Sequence, residues 1–374
     1  MPYGVLIVTG GMTHQENYAR GFQEDPRCRI VAVADEATVD ARRESLNRKL
    51  AAELQVPYIP DLPRALADRA VDIASICTEH HRQGRVGIQC AEAGKHIYMD
   101  KPVAGSLDEA RRIEATLTRT GRKSQMFSQV LFPWSQRIRR ALISGRVGDL
   151  RAIHCDLHFA KGYAADFPIS PRRENPVPVS FLVQDAKREM FNIAVYSLAL
   201  FRWLTQRKRF ETVHAFTANY FFEQNRARDF EDFAILTVGM EGGVTATISA
   251  GRTGWRSHGI GGTNQTKIIG TRGTLFLDGA DARGEICGDG QPQWESPEEN
   301  VADPMAFWAS SDQRKTGGPQ WFALPATGPS DQAAFVDCIE KDREPEVTVA
   351  DGVRILEVLF AAYRSAATGD VVRL

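Results

Sequence analysis

Neither sign of charge prevails in this chain. Its 46 lysines and arginines are matched by 47 aspartates and glutamates, for a formal net charge of -1. That balance supplies no general field to hold nucleic acid or an anionic membrane surface, so a small neutral or singly charged partner fits better. Long hydrophobic runs are missing too. The best candidate, near Ala194 to Leu204, carries Tyr196 and Arg202 and falls short of the roughly 20 apolar residues that cross a bilayer. Cysteine pairs are also absent: Cys28, Cys77, Cys90, Cys155, Cys287 and Cys338 are scattered, with no C-x-x-C and no metal-ligand spacing with histidine. They read as reduced thiols of a cytoplasmic protein, and no metal site is expected. Met1-Pro2-Tyr3 runs directly into Val5 to Val8 without a charged leader, so no secretory signal is expected.

What is present is enough apolar material, 43% of 374 residues, for two hydrophobic cores. Through residue 125, short β-branched runs alternate with longer amphipathic ones. Strands are predicted at Val5 to Val8, Ile30 to Ala34, Ile73 to Cys77 and His96 to Met99. Helices are predicted at Gln15 to Glu24, Thr38 to Glu53, Leu62 to Leu66 and Gln83 to Ala93. This alternation predicts an α/β Rossmann-like dinucleotide-binding domain with a parallel sheet. A helix (Leu107 to Thr118), a strand (Ser124 to Leu131) and a helix (Trp134 to Ser144) lead to the turn at Gly145 to Gly148, which sets domains of 1–148 and 149–374.

The second half reads as α+β. A strand from Arg151 to His158 and a long helix from Ala186 to Leu204 precede strand segments at Thr212 to Phe222, Asp232 to Gly239, Val244 to Ala250, Thr266 to Gly270 and Thr274 to Leu277. Short glycine-containing turns between them predict a large, mainly antiparallel sheet. Residues 289–329 look like a surface excursion, and helices at Asp331 to Lys341 and Asp351 to Ala367 are expected to close the chain.

Two local features point to a dinucleotide. After the first strand comes Thr9-Gly10-Gly11-Met12-Thr13 leading into a helix, where free N–H groups can receive a pyrophosphate. Met12 and Gln15 stand where the G-x-G-x-x-G fingerprint has its later glycines. Asp35 ends the second strand 25 residues after Gly10, near the spacing of an acid that accepts ribose hydroxyls. Asp35 and Glu36 together would repel a 2′-phosphate, which predicts NAD over NADP, with Arg42 and Arg43 facing solvent.

A third stretch is more specific. Thr78, Ala93-Gly94-Lys95-His96 and Asp100-Lys101-Pro102 resemble the family of glucose–fructose oxidoreductase and inositol dehydrogenase, with its T-P-N-x-x-H, A-G-K-H and E-K-P motifs. Glu79, His80 and Gln83 depart from the first motif. Ser144 to Gly148, Ile268 to Leu275 and Ala361 to Ser365 extend the resemblance along the whole chain. The resemblance implies that the dinucleotide contacts Gly10, Gly11, Met12, Thr13, Asp35, Thr78, Glu79, His81, Asp100 and Lys101, and that the Lys101-Pro102 peptide is cis. It also implies that Lys101 faces the nicotinamide and the substrate hydroxyl.

Anchored on Arg202-Trp203-Leu204, the family's G-G-x-x-x-D-x-G-x-H helix pattern falls with Asn192 in place of the aspartate and Tyr196 in place of the histidine. Four residues apart, these two share one helical face. The expectation is that Tyr196 relays the substrate proton, that Lys101 lowers its pKa, and that Asn192 binds substrate, with His81 or His158 as the reserve bases. The implied activity is hydride transfer between NAD and a hydroxyl-bearing carbon of a sugar, polyol or related cyclic alcohol. The implied assembly is a homo-dimer or tetramer through the C-terminal sheet. An NAD-dependent glycosidase or epimerase, and an inactive NAD-binding sensor, are the alternatives.

Overall fold

The computed structural model describes residues 2–9, 14–160, 188–221, 225, 230–253, 262–279, 283–287, 320–324, 328 and 330–374. Gly10, Gly11, Met12, Thr13, Ala186, Phe222 and most of the predicted excursion lie outside these residues. The first unit holds β1 (Tyr3–Val8), α1 (Gln15–Gln23), β2 (Cys28–Ala34), α2 (Ala41–Leu54), β3 (Tyr58–Ile59), α3 (Leu62–Leu66) and β4 (Ile73–Ile76). It continues with α4 (His80–Glu92), β5 (His96–Met99), α5 (Leu107–Thr120), β6 (Ser124–Met126) and α6 (Pro133–Ile143). The six strands are parallel in the order β3-β2-β1-β4-β5-β6. Val5 to Val8 and Ile73 to Ile76 are apolar almost throughout and fully buried, because helices cover both faces of a parallel sheet. The order reverses direction between β1 and β4, which opens a crevice at the carboxyl ends of those strands.

Element limits differ from the sequence reading for identifiable reasons. Asp40 caps α2 through the Arg43 N–H at 2.9 Å, so that helix starts at Ala41 rather than Thr38. Glu79 is extended and serves as the N-cap of α4, which starts at His80, three residues earlier than predicted. The predicted strand to Leu131 stops at Met126. Beyond it, Ser135 Oγ and Gln136 Nε2 bond the carbonyls of Gln129 and Val130, and Pro133 opens α6.

The second unit begins with β7 (Leu150–Ala160), a π-helical turn (Met190–Ala194), α7 (Val195–Leu204), β8 (Phe210–Ala218), β9 (Phe233–Met240) and β10 (Val244–Thr253). It continues through β11 (Gly262–Gly270), β12 (Thr274–Asp278), β13 (Arg283–Cys287), β14 (Gln320–Ala323), α8 (Asp331–Glu340), α9 (Val349–Thr368) and β15 (Val372–Arg373). Its nine-stranded sheet runs β14-β13-β12-β11-β7-β10-β9-β8-β15 and is antiparallel except at β7–β10. Of the helix expected from Ala186 to Leu204, the described part holds a π turn at Met190–Ala194 and an α-helix from Val195. Alternation places Cys155 and Leu157 of β7 and Ile248 and Ala250 of β10 on the face toward α7. Buried on nearly every side, α7 forms the core between sheet and crevice. No helix among the described residues is long and apolar enough to cross a membrane.

The two closing helices return to the first unit. Thr348 and Asp351 form a capping box at α9, and Asp351 also binds Arg202 of α7 at 2.9 Å. Gly352 faces Val103 so closely that a Cβ there would strike it. At the start of α8, the buried Asp331 carboxylate accepts from Tyr98 Oη at 2.7 Å and Gln125 Nε2 at 2.8 Å, which ties α8 to β5 and β6. Burial pushes the Asp331 carboxyl up to about 6. Its folded value thus exceeds the unfolded one, so the folded chain holds this proton more tightly. Stability from this group is full below pH 4 and declines as pH rises to 6, by roughly 2–3 kcal/mol. Asp331→Asn keeps an acceptor for both donors without the charge. Urea unfolding at pH 4.5 and pH 7 should show the variant gaining on the native chain at the higher pH; an unchanged difference would refute the assignment.

Candidate active site

Lys101 follows β5 at the carboxyl edge of the parallel sheet, and its peptide with Pro102 is cis. Its ammonium donates to the Asn192 carbonyl at 2.9 Å and to Asn192 Oδ1 at 2.7 Å, and lies 4.7 Å from the centroid of the Tyr196 ring. The π turn carries Asn192 and α7 carries Tyr196, so the structure brings together Lys101, Asn192 and Tyr196 from opposite halves of the chain. Burial pulls the Lys101 ammonium down to about 8 against the opposing pull of Asp100, while Arg252 lowers it further.

The expected lowering of the Tyr196 pKa by Lys101 meets an opposing effect. The ammonium sits over the ring face, and burial, reinforced by Asp100, holds the phenol well above its ordinary range. Burial thus works against a Tyr196 phenolate and favours the neutral amine of Lys101. His158 is corrected as a reserve base. It alternates with Leu157, faces the far side of the sheet from Tyr196, and bonds Ser249 Oγ at 2.8 Å. His81 lies on α4, where burial lowers its pKa.

Asp100 precedes Lys101 and is held from the β1 side. His14 Nδ1 lies 3.1 Å from its carboxylate and Tyr18 Oη donates at 2.6 Å. Burial opposes its ionisation, but His14, Lys101 and Tyr18 outweigh it and hold the carboxyl well below the usual range. Gln83, where the family motif has histidine, donates to the carbonyls of Asp100 at 2.6 Å and Pro102 at 2.8 Å and accepts from the Thr78 N–H at 3.1 Å. The departure at this position keeps the loops of Thr78 and Lys101 joined.

The described residues at the crevice fit a dinucleotide at the end that carries the chemistry. Thr9 follows β1 at φ 69°, and its Oγ1 is buried with no hydrogen-bond partner among the described residues. A ligand at the α1 N-terminus would satisfy it. At the far edge of the crevice the arrangement differs from expectation. Asp35 is fully buried, with Asn47 Nδ2 on one oxygen at 2.8 Å and the Glu36 N–H and Arg82 on the other. Arg82 also binds Glu36 and Glu79, Arg43 binds Glu79, and Arg85 binds Glu36. Arg43 is therefore buried rather than solvent-facing, while Arg42 is exposed. Glu36 and Glu79, at 19% and 16% side-chain exposure, are the carboxylates open at this edge.

Several groups around the π turn escaped the sequence reading. Glu231 accepts the Met190 N–H at 3.1 Å and the Tyr363 hydroxyl at 2.7 Å, and Tyr363 in turn receives the Phe191 N–H at 3.1 Å. Burial raises the Glu231 carboxyl to about 7. Glu189, without exposed surface, holds Arg252 Nε at 2.6 Å. Arg252 did leave a signal. It continues the inward phase of Val244, Ala246, Ile248 and Ala250, and an arginine in an apolar phase calls for a partner. Beside Tyr196 a small cavity is lined by Gln129, Trp134, Ser197 and Asn264.

A parallel sheet of this order, with a lysine at its carboxyl edge met by a polar helix from a second, largely antiparallel unit, defines a dinucleotide-dependent oxidoreductase. The chain belongs to the GFO/IDH/MocA oxidoreductase family: residues 3–128 match its NAD-binding Rossmann fold and residues 135–276 its C-terminal domain. It is 26% identical to D-apiose dehydrogenase of Paraburkholderia graminis, over 99% of this chain and 89% of that protein. It is 23% identical to scyllo-inositol 2-dehydrogenase (NAD(+)) of Bacillus subtilis, over 71% of this chain and 70% of that one. Among solved structures, levoglucosan dehydrogenase in complex with NADH and levoglucosan superposes with a TM-score of 0.78 at 17% identity, covering 100% of this chain and 99% of that one.

Proposed function

We propose that this protein is an NAD-dependent dehydrogenase that oxidises a hydroxyl-bearing carbon of a sugar, polyol or related cyclic alcohol, or reduces the matching carbonyl. The observation that carries this reading is the Lys101 ammonium, buried at the crevice and bonded to Asn192 beside Tyr196. The nicotinamide supplies the hydride chemistry when bound. The chain's own task is the proton. Lys101, with its pKa brought down to about 8, takes the hydroxyl proton when neutral and returns it when charged. Tyr196 and Asn192 orient the substrate oxygen toward it, and the buried surroundings exclude water. Small dehydrogenase substrates named for relatives, among them apiose and scyllo-inositol, support this class. Gly10, Gly11, Met12 and Thr13 are proposed to receive the pyrophosphate, while Thr78, Glu79 and His81 flank the adenosine side and Asp100 borders the nicotinamide. Cys28, Cys77, Cys90, Cys155 and Cys338 are free thiols, which supports a reducing, cytoplasmic setting.

Lys101→Met should lower kcat by about 10²-fold or more, the scale of a positioned acid–base group. Oxidation should speed up as pH rises through about 8, because Lys101 must shed its proton to act as base. Tyr196→Phe should keep that inflection while weakening turnover. If Tyr196→Phe abolishes the inflection and Lys101→Met keeps it, the tyrosine is the base instead.

NAD is proposed over NADP. Three carboxylates already engage Arg43, Arg82 and Arg85, so a 2′-phosphate would have to displace Asp35, Glu36 or Glu79 from them. Fluorescence titrations should give a lower Kd for NADH than for NADPH, and equal or reversed affinities would remove this assignment.

We also propose a homo-oligomer through the outer face of the large sheet. Phe216 of β8 and Ile235 of β9 are cross-strand neighbours, 55% and 45% exposed, with Tyr220 nearby also 55% exposed. Light scattering should report a dimer or larger assembly that Phe216→Lys weakens; a monomer at micromolar concentration would contradict it.

A further inference from the structure

We propose that Arg252 is the anion-binding residue of the substrate pocket, and that the substrate is a sugar acid or related hydroxy acid whose carboxylate it grips while its hydroxyl meets Lys101. This deepens the dehydrogenase reading and rests on it. Arg252 is on the inward face of β10, opposite Phe159 of β7, the same face that packs toward Tyr196. Two anchors fix its guanidinium. Glu189 takes Nε at 2.6 Å, and the Phe159 ring lies 5.8 Å from Cζ. The terminal nitrogens Nη1 and Nη2 have no hydrogen-bond partner among the described residues, although the side chain is only 14% exposed.

A guanidinium held at Nε presents its remaining N–H groups in a fixed fork, and that fork matches the two oxygens of a carboxylate. A pocket built only for hydroxyls would be served by amides such as Asn192 and Asn264, at lower desolvation cost. The guanidinium also lies close enough for its charge to act on both Lys101 and Tyr196. An anion seated on it is therefore near the reacting hydroxyl. Glu189 has the complementary role: its charge balances Arg252 when the pocket is empty and directs the free edge of the fork away from the π turn.

The test compares neutral compounds with their acids: D-glucose with D-glucuronate, D-galactose with D-galacturonate, and myo-inositol with quinate. NADH formation is followed for each, and each is titrated calorimetrically into the enzyme–NADH complex. In at least one pair the acid should bind more tightly by about ten- to hundredfold, the scale of a charge-assisted hydrogen bond. Arg252→Lys should reduce this preference and Arg252→Gln should erase it, whereas a purely structural role would move both members of a pair equally. If neutral compounds are oxidised and bind as well as their acids in every pair, the Arg252 assignment is overturned and the dehydrogenase reading stands. If no compound of either kind is turned over, the dehydrogenase reading fails and the carboxylate proposal falls with it.

Discussion

The structure depends on one buried ammonium. Lys101 comes from the first parallel sheet, yet its hydrogen bonds go to Asn192, 91 residues later, at the foot of the helix that crosses the second sheet. A charge placed there without partners would cost several kcal/mol. The two Asn192 oxygens and the Tyr196 ring face offset that cost, and the same desolvation lowers the lysine toward neutrality. Cohesion between the halves and the lowered lysine pKa thus have a single origin.

Its position is defended by layers that never touch the ammonium. Gln83 ties the Asp100 and Pro102 carbonyls to the Thr78 loop, and His14 and Tyr18 fix Asp100 from the other side. On the partner side, Glu231 and Tyr363 satisfy N–H groups at the start of the π turn. Side chains from the segment before β9 and from α9 thus act at the N-terminal end of the turn as a cap would. A π turn departs from the regular helical ladder, and such turns recur at functional sites.

The crevice is polarised by its side chains. At the outer edge, three arginines and three carboxylates neutralise one another and leave Asp35 sealed. On the side of Tyr196, Lys101 and Arg252 place two basic groups, countered by Asp100 and Glu189. The departures from the family's T-P-N-x-x-H motif lie at both ends of the crevice. Glu79 is part of the ion-pair cluster, and Gln83 substitutes amide hydrogen bonds for an imidazole.

The sequence by itself determined the alternation of strands and helices in the first unit, the mainly antiparallel second sheet, and the place of Lys101 after a buried strand. These follow from residue periodicity, turn chemistry and motif spacing, which are local. It also singled out Asn192 and Tyr196 four residues apart, and both meet Lys101 although Asn192 lies in a π turn rather than the regular helix. Tertiary structure alone decided that Asp35 is sealed by Arg82, that Arg43 is buried, that burial pushes the Tyr196 phenol up and that Arg252 pairs with Glu189. Each depends on groups brought together from far along the chain and on how much water packing removes. Neither partner identity across 63 residues, as for Arg252 and Glu189, nor the desolvation that sets a pKa is written in any local stretch of sequence.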